Sequence, residues 1–163
     1  MWFVSVLAFL IYAASVKVIP FDEQGKLWQQ SQLSEFDRRL TEQVQLELGG
    51  VNASVVHFSQ ANCDCSQVAQ EHISSVESLA QQQGYTNKGL VLSPESPLSS
   101  IIPATPAVAV FDASGGLVYL GPYSAGYACT QGNGIVESYL NSTNKTLVGA
   151  TVVSDTKGCY CSI

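Results

Sequence analysis

The chain has 163 residues, 46% of them hydrophobic and 12% charged, enough for one cored domain and too few for two. Its net charge is −6 with a pI near 4.7, and its seven basic residues are scattered singly apart from Arg38-Arg39. That pattern has no footprint for a phosphate backbone, so nucleic acid is not an expected partner.

Residues 1–16 carry no charged side chain. As a helix they rise about 24 Å, against a hydrocarbon layer of ~30 Å, and Val18 and Ile19 extend the run if Lys17 snorkels. Residues 1–19 therefore read as a short membrane anchor or as the apolar centre of a signal peptide. Ala13 and Ser15 are small enough for a cleavage site, although no Lys or Arg precedes the run. A buried core helix is the plainer alternative, disfavoured because the stretch is apolar on every face. Either favoured reading exports the rest of the chain. Export places five cysteines, at 63, 65, 129, 159 and 161, where disulfides persist, and the odd number leaves one thiol unpaired or changing partners.

After Pro20, residues 22–48 read as one helix with Leu33, Phe36, Leu40, Val44 and Leu48 on a single face, closed by Gly49-Gly50. Ser54 to Phe58 has the β-branched and aromatic bias of a buried strand. Residues 65–83 follow as an amphipathic helix on Val68, Ile73, Val76, Leu79 and Ala80. Residues 89–92 form a second short strand, and 93–105 a proline- and serine-rich passage. Residues 107–111 and 117–120 flank a glycine-bearing loop and predict a β-hairpin. A last helix covers 134–140. In the tail, 148–154 suits an edge strand, and 155–158 a turn that aims Cys159 and Cys161 at the domain. The expected organisation is an anchor or signal segment (1–19), a domain (20–145) and an extension (146–163), the domain being mixed α/β with helices on both faces of one sheet.

Chemistry concentrates where the first strand meets its helix, at Cys63-Asp64-Cys65. The unpaired N–H groups of a helix's first turn favour thiolate over thiol, whereas Asp64 between the two opposes their ionisation. The order of elements, with a cysteine pair after the first strand, resembles the thioredoxin fold. His57 lies six residues before Cys63 (63 − 57), where thioredoxins carry a buried acid that takes a proton from the second cysteine. Pro106 follows Cys65 by 41 residues (106 − 65), like the cis-proline beside the thioredoxin active site. The glycine-rich hairpin and Gly121 also follow that pattern, and the likeness covers roughly 22–140. The chain departs from the family at Asn62, where thioredoxins have tryptophan, and in a Cys-x-Cys motif one residue shorter than theirs. A disulfide across one intervening residue closes a tight ring and is more readily reduced. The anchor resembles that of membrane-tethered bacterial thioredoxin-like proteins, and the Gly158-Cys159-Tyr160-Cys161 ending that of an uncharacterised family among them. The resemblance thus implies a bacterial inner-membrane protein facing the periplasm, or a secreted one if residues 1–19 are cleaved.

On this reading Cys63 attacks, Cys65 resolves, and His57 relays protons to Cys65, with a thiol- or disulfide-bearing protein or small thiol as partner and no cofactor. The plainer alternatives are structural thiols and a hydrogen-bonded core histidine. A cis Thr105–Pro106 bond, implied by the resemblance, would let the Thr105 backbone bind a substrate chain by strand addition. Cys129, in the loop after the hairpin, is either a third, resolving thiol or an unpaired or structurally bonded one. Two further readings stay open. Cys63, Cys65, Cys159 and Cys161 together suit a Cu(I) or Zn(II) thiolate site, and the domain alone suits a non-catalytic binding module.

Overall fold

A computed structural model describes residues 2–15, 18–126, 134–140 and 149–163. Helix α1 (Trp2–Ser15) opens the chain, followed by β1 (Ile19–Pro20), α2 (Lys26–Ser31), α3 (Phe36–Leu48), β2 (Ser54–Gln60), α4 (Asp64–Val68), α5 (Gln70–Gln82) and β3 (Thr86–Leu92). A 3-10 turn (Pro97–Ser100) leads to β4 (Ala104–Thr105), β5 (Ala107–Phe111), β6 (Leu117–Gly121), α6 (Glu137–Leu140), β7 (Thr151–Val152), β8 (Lys157–Gly158) and β9 (Cys161–Ser162).

Five strands form the central sheet in the order β3-β2-β5-β6-β7. β2 runs parallel to β3 and antiparallel to β5, β5 and β6 form the expected hairpin, and β7 adds in parallel along β6. The side-chain period of two divides the sheet into two faces. Val56, Phe58, Ala107, Ala109 and Phe111 join Phe36, Leu40 and Val44 of α3 in one cluster. Val55, Val108, Val110 and Tyr119 join Val76 and Ala80 of α5, with Val136 and Leu140, in the other. Every strand position of β5 is buried, as expected of a strand covered on both sides. The hairpin loop is held by Asp112, whose Oδ1 accepts from the backbone N–H groups of Ser114 and Gly116 at 2.8 and 2.9 Å. Those bonds outweigh partial burial and hold its carboxyl below the usual range.

Several expected boundaries shift. The helix over 22–48 is two, α2 and α3, because Leu27 and Phe36 both enter the core. They are nine positions apart (36 − 27), about two and a half turns, so a continuous helix would place them on opposite faces. The intervening turn carries Leu33 to the surface, 48% exposed, rather than onto the buried face. The helix over 65–83 is interrupted at Ala69, and its buried stripe runs through Cys65, Ala69, His72, Val76 and Ala80. Val68 lies off that stripe and is exposed. The first two strands extend to Gln60 and back to Thr86, because they pair along their full length. Among residues 134–140 the helix begins at Glu137.

Helix α1 presents Trp2, Phe3, Leu7, Phe9 and Leu10 to solvent. At 14 residues it rises about 21 Å. Among the described residues, no helix is long and apolar enough to cross a membrane. The expectation of a spanning segment is therefore not met by α1 alone.

Candidate functional site: a cross-bonded cysteine cluster

Two short Cys-x-Cys units, nearly a hundred residues apart in the chain, meet at one end of the sheet. The first is placed by the turn after β2, where Asn62 takes a left-handed backbone, φ 61°. Asparagine tolerates that conformation better than most residues with a side chain. Cys63 then caps α4 with an extended backbone, and its carbonyl accepts from the Ser66 N–H at 3.1 Å. Cys65 sits in the first helical turn. Cys63 and Cys65 are buried while Asp64 between them is exposed, so that carboxylate faces solvent, where water screens it.

The second unit comes from the tail. β8 pairs antiparallel with β1, Ile19 opposite Gly158, and the Gly126 N–H donates to the Lys157 carbonyl at 2.7 Å. Gly158 is required there, because a Cβ would stand 2.8 Å from the Gly126 carbonyl oxygen and 2.8 Å from the Tyr160 ring. Tyr160 is the anchor of this segment. Its ring packs edge-on against Phe21 at 5.1 Å between centroids, and its hydroxyl donates to the Ser124 carbonyl at 2.8 Å. With Tyr160 turned into the core, the cysteines on either side turn toward α4. β9 then pairs with β4, with Thr105 opposite Cys161.

The sulfurs join crosswise. Cys63 bonds Cys161 and Cys65 bonds Cys159, with Cα–Cα distances of 5.9 and 5.4 Å. The four cysteines form a cluster of their own, in which Cys161 alone is partly exposed. This corrects the expectation of a bond within Cys63-Asp64-Cys65: each cysteine of the first unit has its partner in the tail. The turn of the tail toward the domain is as expected. The Sγ of Cys63 lies 3.7 Å from the Thr105 carbonyl oxygen, a contact without a hydrogen bond, since the disulfide leaves no S–H. Thr105 is fully buried, and its bond to Pro106 is cis, as the likeness drawn from spacing implies.

His57 stands as the plainer of its two readings had it, a hydrogen-bonded histidine in the core. Its Nδ1 lies 2.6 Å from the Tyr123 hydroxyl, and its Nε2 lies 3.0 Å from Asn87 Oδ1. The Asn87 amide nitrogen is spent on the Glu77 carbonyl, so its oxygen faces the ring. Nε2 therefore carries the proton and donates, while Nδ1 accepts from Tyr123. Burial pushes the His57 imidazole below its ordinary value and the Tyr123 phenol well above its own. Both ring nitrogens are thus committed to partners other than sulfur, and Cys65 has no proton to relay while bonded to Cys159.

A second buried histidine escaped the sequence reading. His72 of α5 meets Glu137 of α6, Nε2 to Oε1 at 2.7 Å, beside the Tyr123 ring. Burial opposes ionisation of Glu137, but the hydrogen bond from His72 and further favourable contacts outweigh it and hold the carboxyl below its usual range. No local signal marks a pair 65 residues apart.

Cys129 lies outside the described residues. A metal ligand must be a thiolate, whereas Cys63, Cys65, Cys159 and Cys161 are all consumed in disulfides. Among the described residues, no group of three or more histidine, cysteine or acidic side chains is disposed to hold a metal ion.

Fold and site together define a mixed α/β domain whose tail is bonded to the start of α4 by paired Cys-x-Cys units. The chain belongs to the family described as a domain of unknown function (DUF6436), which matches residues 29–163 and so includes all four bonded cysteines. No curated protein and no solved structure matches it.

Proposed function

We propose that this protein is an exported thioredoxin-like domain that exchanges disulfides through Cys63, Cys65, Cys159 and Cys161. The observation that carries this is the convergence of two Cys-x-Cys units on one cluster, each sulfur bonded to the opposite unit. A thiolate freed by opening either bond has other sulfurs of the cluster nearby to attack, the condition for exchange rather than a single fixed crosslink. The thioredoxin-like reading is supported by the strand order β3-β2-β5-β6, the helices on both faces, and Thr105 beside the Cys63 sulfur. The partner is a thiol- or disulfide-bearing protein or a small thiol. The apolar α1, exposed over residues 2–10, supports a place at a membrane, read here as the periplasmic face of a bacterial inner membrane, with secretion as the outcome if residues 1–19 are cleaved.

The test is a titration of the folded full chain in detergent with reduced and oxidised glutathione, read by alkylation and mass spectrometry beside a disulfide-reshuffling assay. Both bonds open and reclose without unfolding, the chain accelerates reshuffling, and Cys63→Ser abolishes that activity. Disulfides that yield only on unfolding, or full activity in Cys63→Ser, would overturn the proposal. The same four sulfurs, once reduced, make up the donor set of a thiolate metal site. Stoichiometric zinc or copper retained by the reduced chain, with no reshuffling activity, would favour that function instead.

A further inference from the structure

We propose, resting on the exchange function above, that residues 161–163 act as a built-in ligand. They fill a strand edge that otherwise takes an extended peptide bearing a cysteine and, two positions later, an aliphatic residue.

In β4, Ala104 faces Ser162 and Thr105 faces Cys161, and beyond the pair the Ile163 N–H donates to the Pro103 carbonyl at 3.1 Å. Alternate residues of an extended chain share a face. Cys161 thus reaches Cys63 while Ile163 packs against the larger apolar cluster, and Ser162 between them is exposed. Backbone hydrogen bonds supply affinity and alternate side chains supply selectivity, as in strand addition generally.

The occupant is separable from the frame that holds it. Upstream of residue 161 the tail has its own fastenings: Cys159 to Cys65, the Tyr160 hydroxyl to Ser124, and Gly158 opposite Ile19. Releasing residues 161–163 disturbs none of them. Cys161 is also the only one of the four bonded cysteines that is not buried, so an external thiol meets its bond to Cys63 first.

The opening step balances with a small monothiol as reductant. Its thiolate attacks the Cys161 sulfur, the bond to Cys63 breaks, and Cys63 leaves as a thiolate. A second thiolate attacks the monothiol sulfur now bound to Cys161, forms the monothiol disulfide and releases Cys161. Two thiols are oxidised, Cys63 and Cys161 are reduced, and the protons lost by the monothiols are available to them. With residues 161–163 displaced, a peptide disulfide docked along β4 presents its sulfur to Cys63, which attacks it and expels the leaving thiol.

The experiment uses a peptide ending Tyr-Cys-Ser-Ile whose cysteine is capped with thionitrobenzoate, and a control peptide with N-methyl-isoleucine, which cannot make the bond to Pro103. The full-length Cys161→Ala/Ile163→Glu variant, which vacates the edge, releases thionitrobenzoate about tenfold faster from the first peptide, the worth of one or two net hydrogen bonds. The oxidised wild-type chain releases none. Equal rates from both peptides, with free thionitrobenzoate-capped cysteine reacting normally, overturn this inference and leave exchange standing. Failure of the free reagent to react at Cys63 overturns exchange as well. Hydrogen exchange on the wild-type chain needs no variant. Amides 105, 161 and 163, the ones that bond across the pair, lose protection when glutathione opens Cys63–Cys161, and 105 regains it with the peptide. Unchanged protection at 105 overturns the inference.

Discussion

Thr105 and Cys161 stand opposite one another in the β4–β9 pair, and the sulfur of Cys161 is bonded to Cys63, which itself touches the Thr105 carbonyl oxygen at 3.7 Å. Residues 161–163 thereby lie along the strand edge beside the first Cys-x-Cys unit.

Removing the crosslinks measures what the tail contributes to stability. The two disulfides close nearly the same loop, across 98 and 94 residues, so either one alone still constrains the unfolded chain, and closing so long a loop stabilises typically by about 2–4 kcal/mol. Cys65→Ala/Cys159→Ala is expected to lose little, and the variant with all four of these cysteines replaced by alanine to lose that amount in non-reducing urea denaturation. A strong reductant should erase most of the difference from wild type. A midpoint of the fourfold variant equal to wild type without reductant would contradict the crosslinks.

Gly158→Ala tests the close approach of tail and loop. The new methyl would meet a backbone carbonyl oxygen at 2.8 Å, an atom that cannot rotate away. Overpacking of this kind costs about 1–3 kcal/mol. Because the shift falls one residue before Cys159, the variant should also show more free thiol than wild type after oxidative refolding, counted by alkylation.

His57 makes stability depend on pH with a definite sign. Its folded value lies below 6.5 because burial disfavours the imidazolium. As pH falls below about 6.5 the unfolded chain takes up a proton that the folded chain refuses, so stability is full above that value and declines below it. The decline stops once the folded ring also titrates. Imidazole NMR should find His57 less than half protonated at pH 6.5, with the neutral ring's proton on Nε2. A ring half protonated there would contradict the Tyr123–His57–Asn87 arrangement.

Glu137 acts in a lower window. Its carboxyl is held below 4.5, so the stability it lends is present above that value and lost as pH falls through the folded value. Glu137→Ala leaves the buried His72 without that partner and is expected to cost about 1–3 kcal/mol at neutral pH. Glu137→Gln, which keeps an acceptor oxygen, should cost less. Equal stability of Glu137→Ala and wild type in thermal denaturation would show that the pair contributes nothing.

Features that depend on near neighbours were legible in the residues alone. The apolar, β-branched and aromatic runs at 54–58, 107–111 and 117–120 specify buried strands, and the Asp112 to Gly116 loop specifies the hairpin, because strand composition and turn chemistry act over a few residues. The resemblance to thioredoxins also implied that Thr105-Pro106 stands near the first cysteines, where it lies. Tertiary structure decided which sulfur bonds which. With Cys63, Cys65, Cys159 and Cys161 available, the choice of partner follows from Tyr160 turning into the core and β9 lying along β4, contacts about a hundred residues from the first motif. His57 shows the same limit: its position six residues before Cys63 was legible, but Tyr123 and Asn87, brought to it by other strands, decide where its nitrogens are spent.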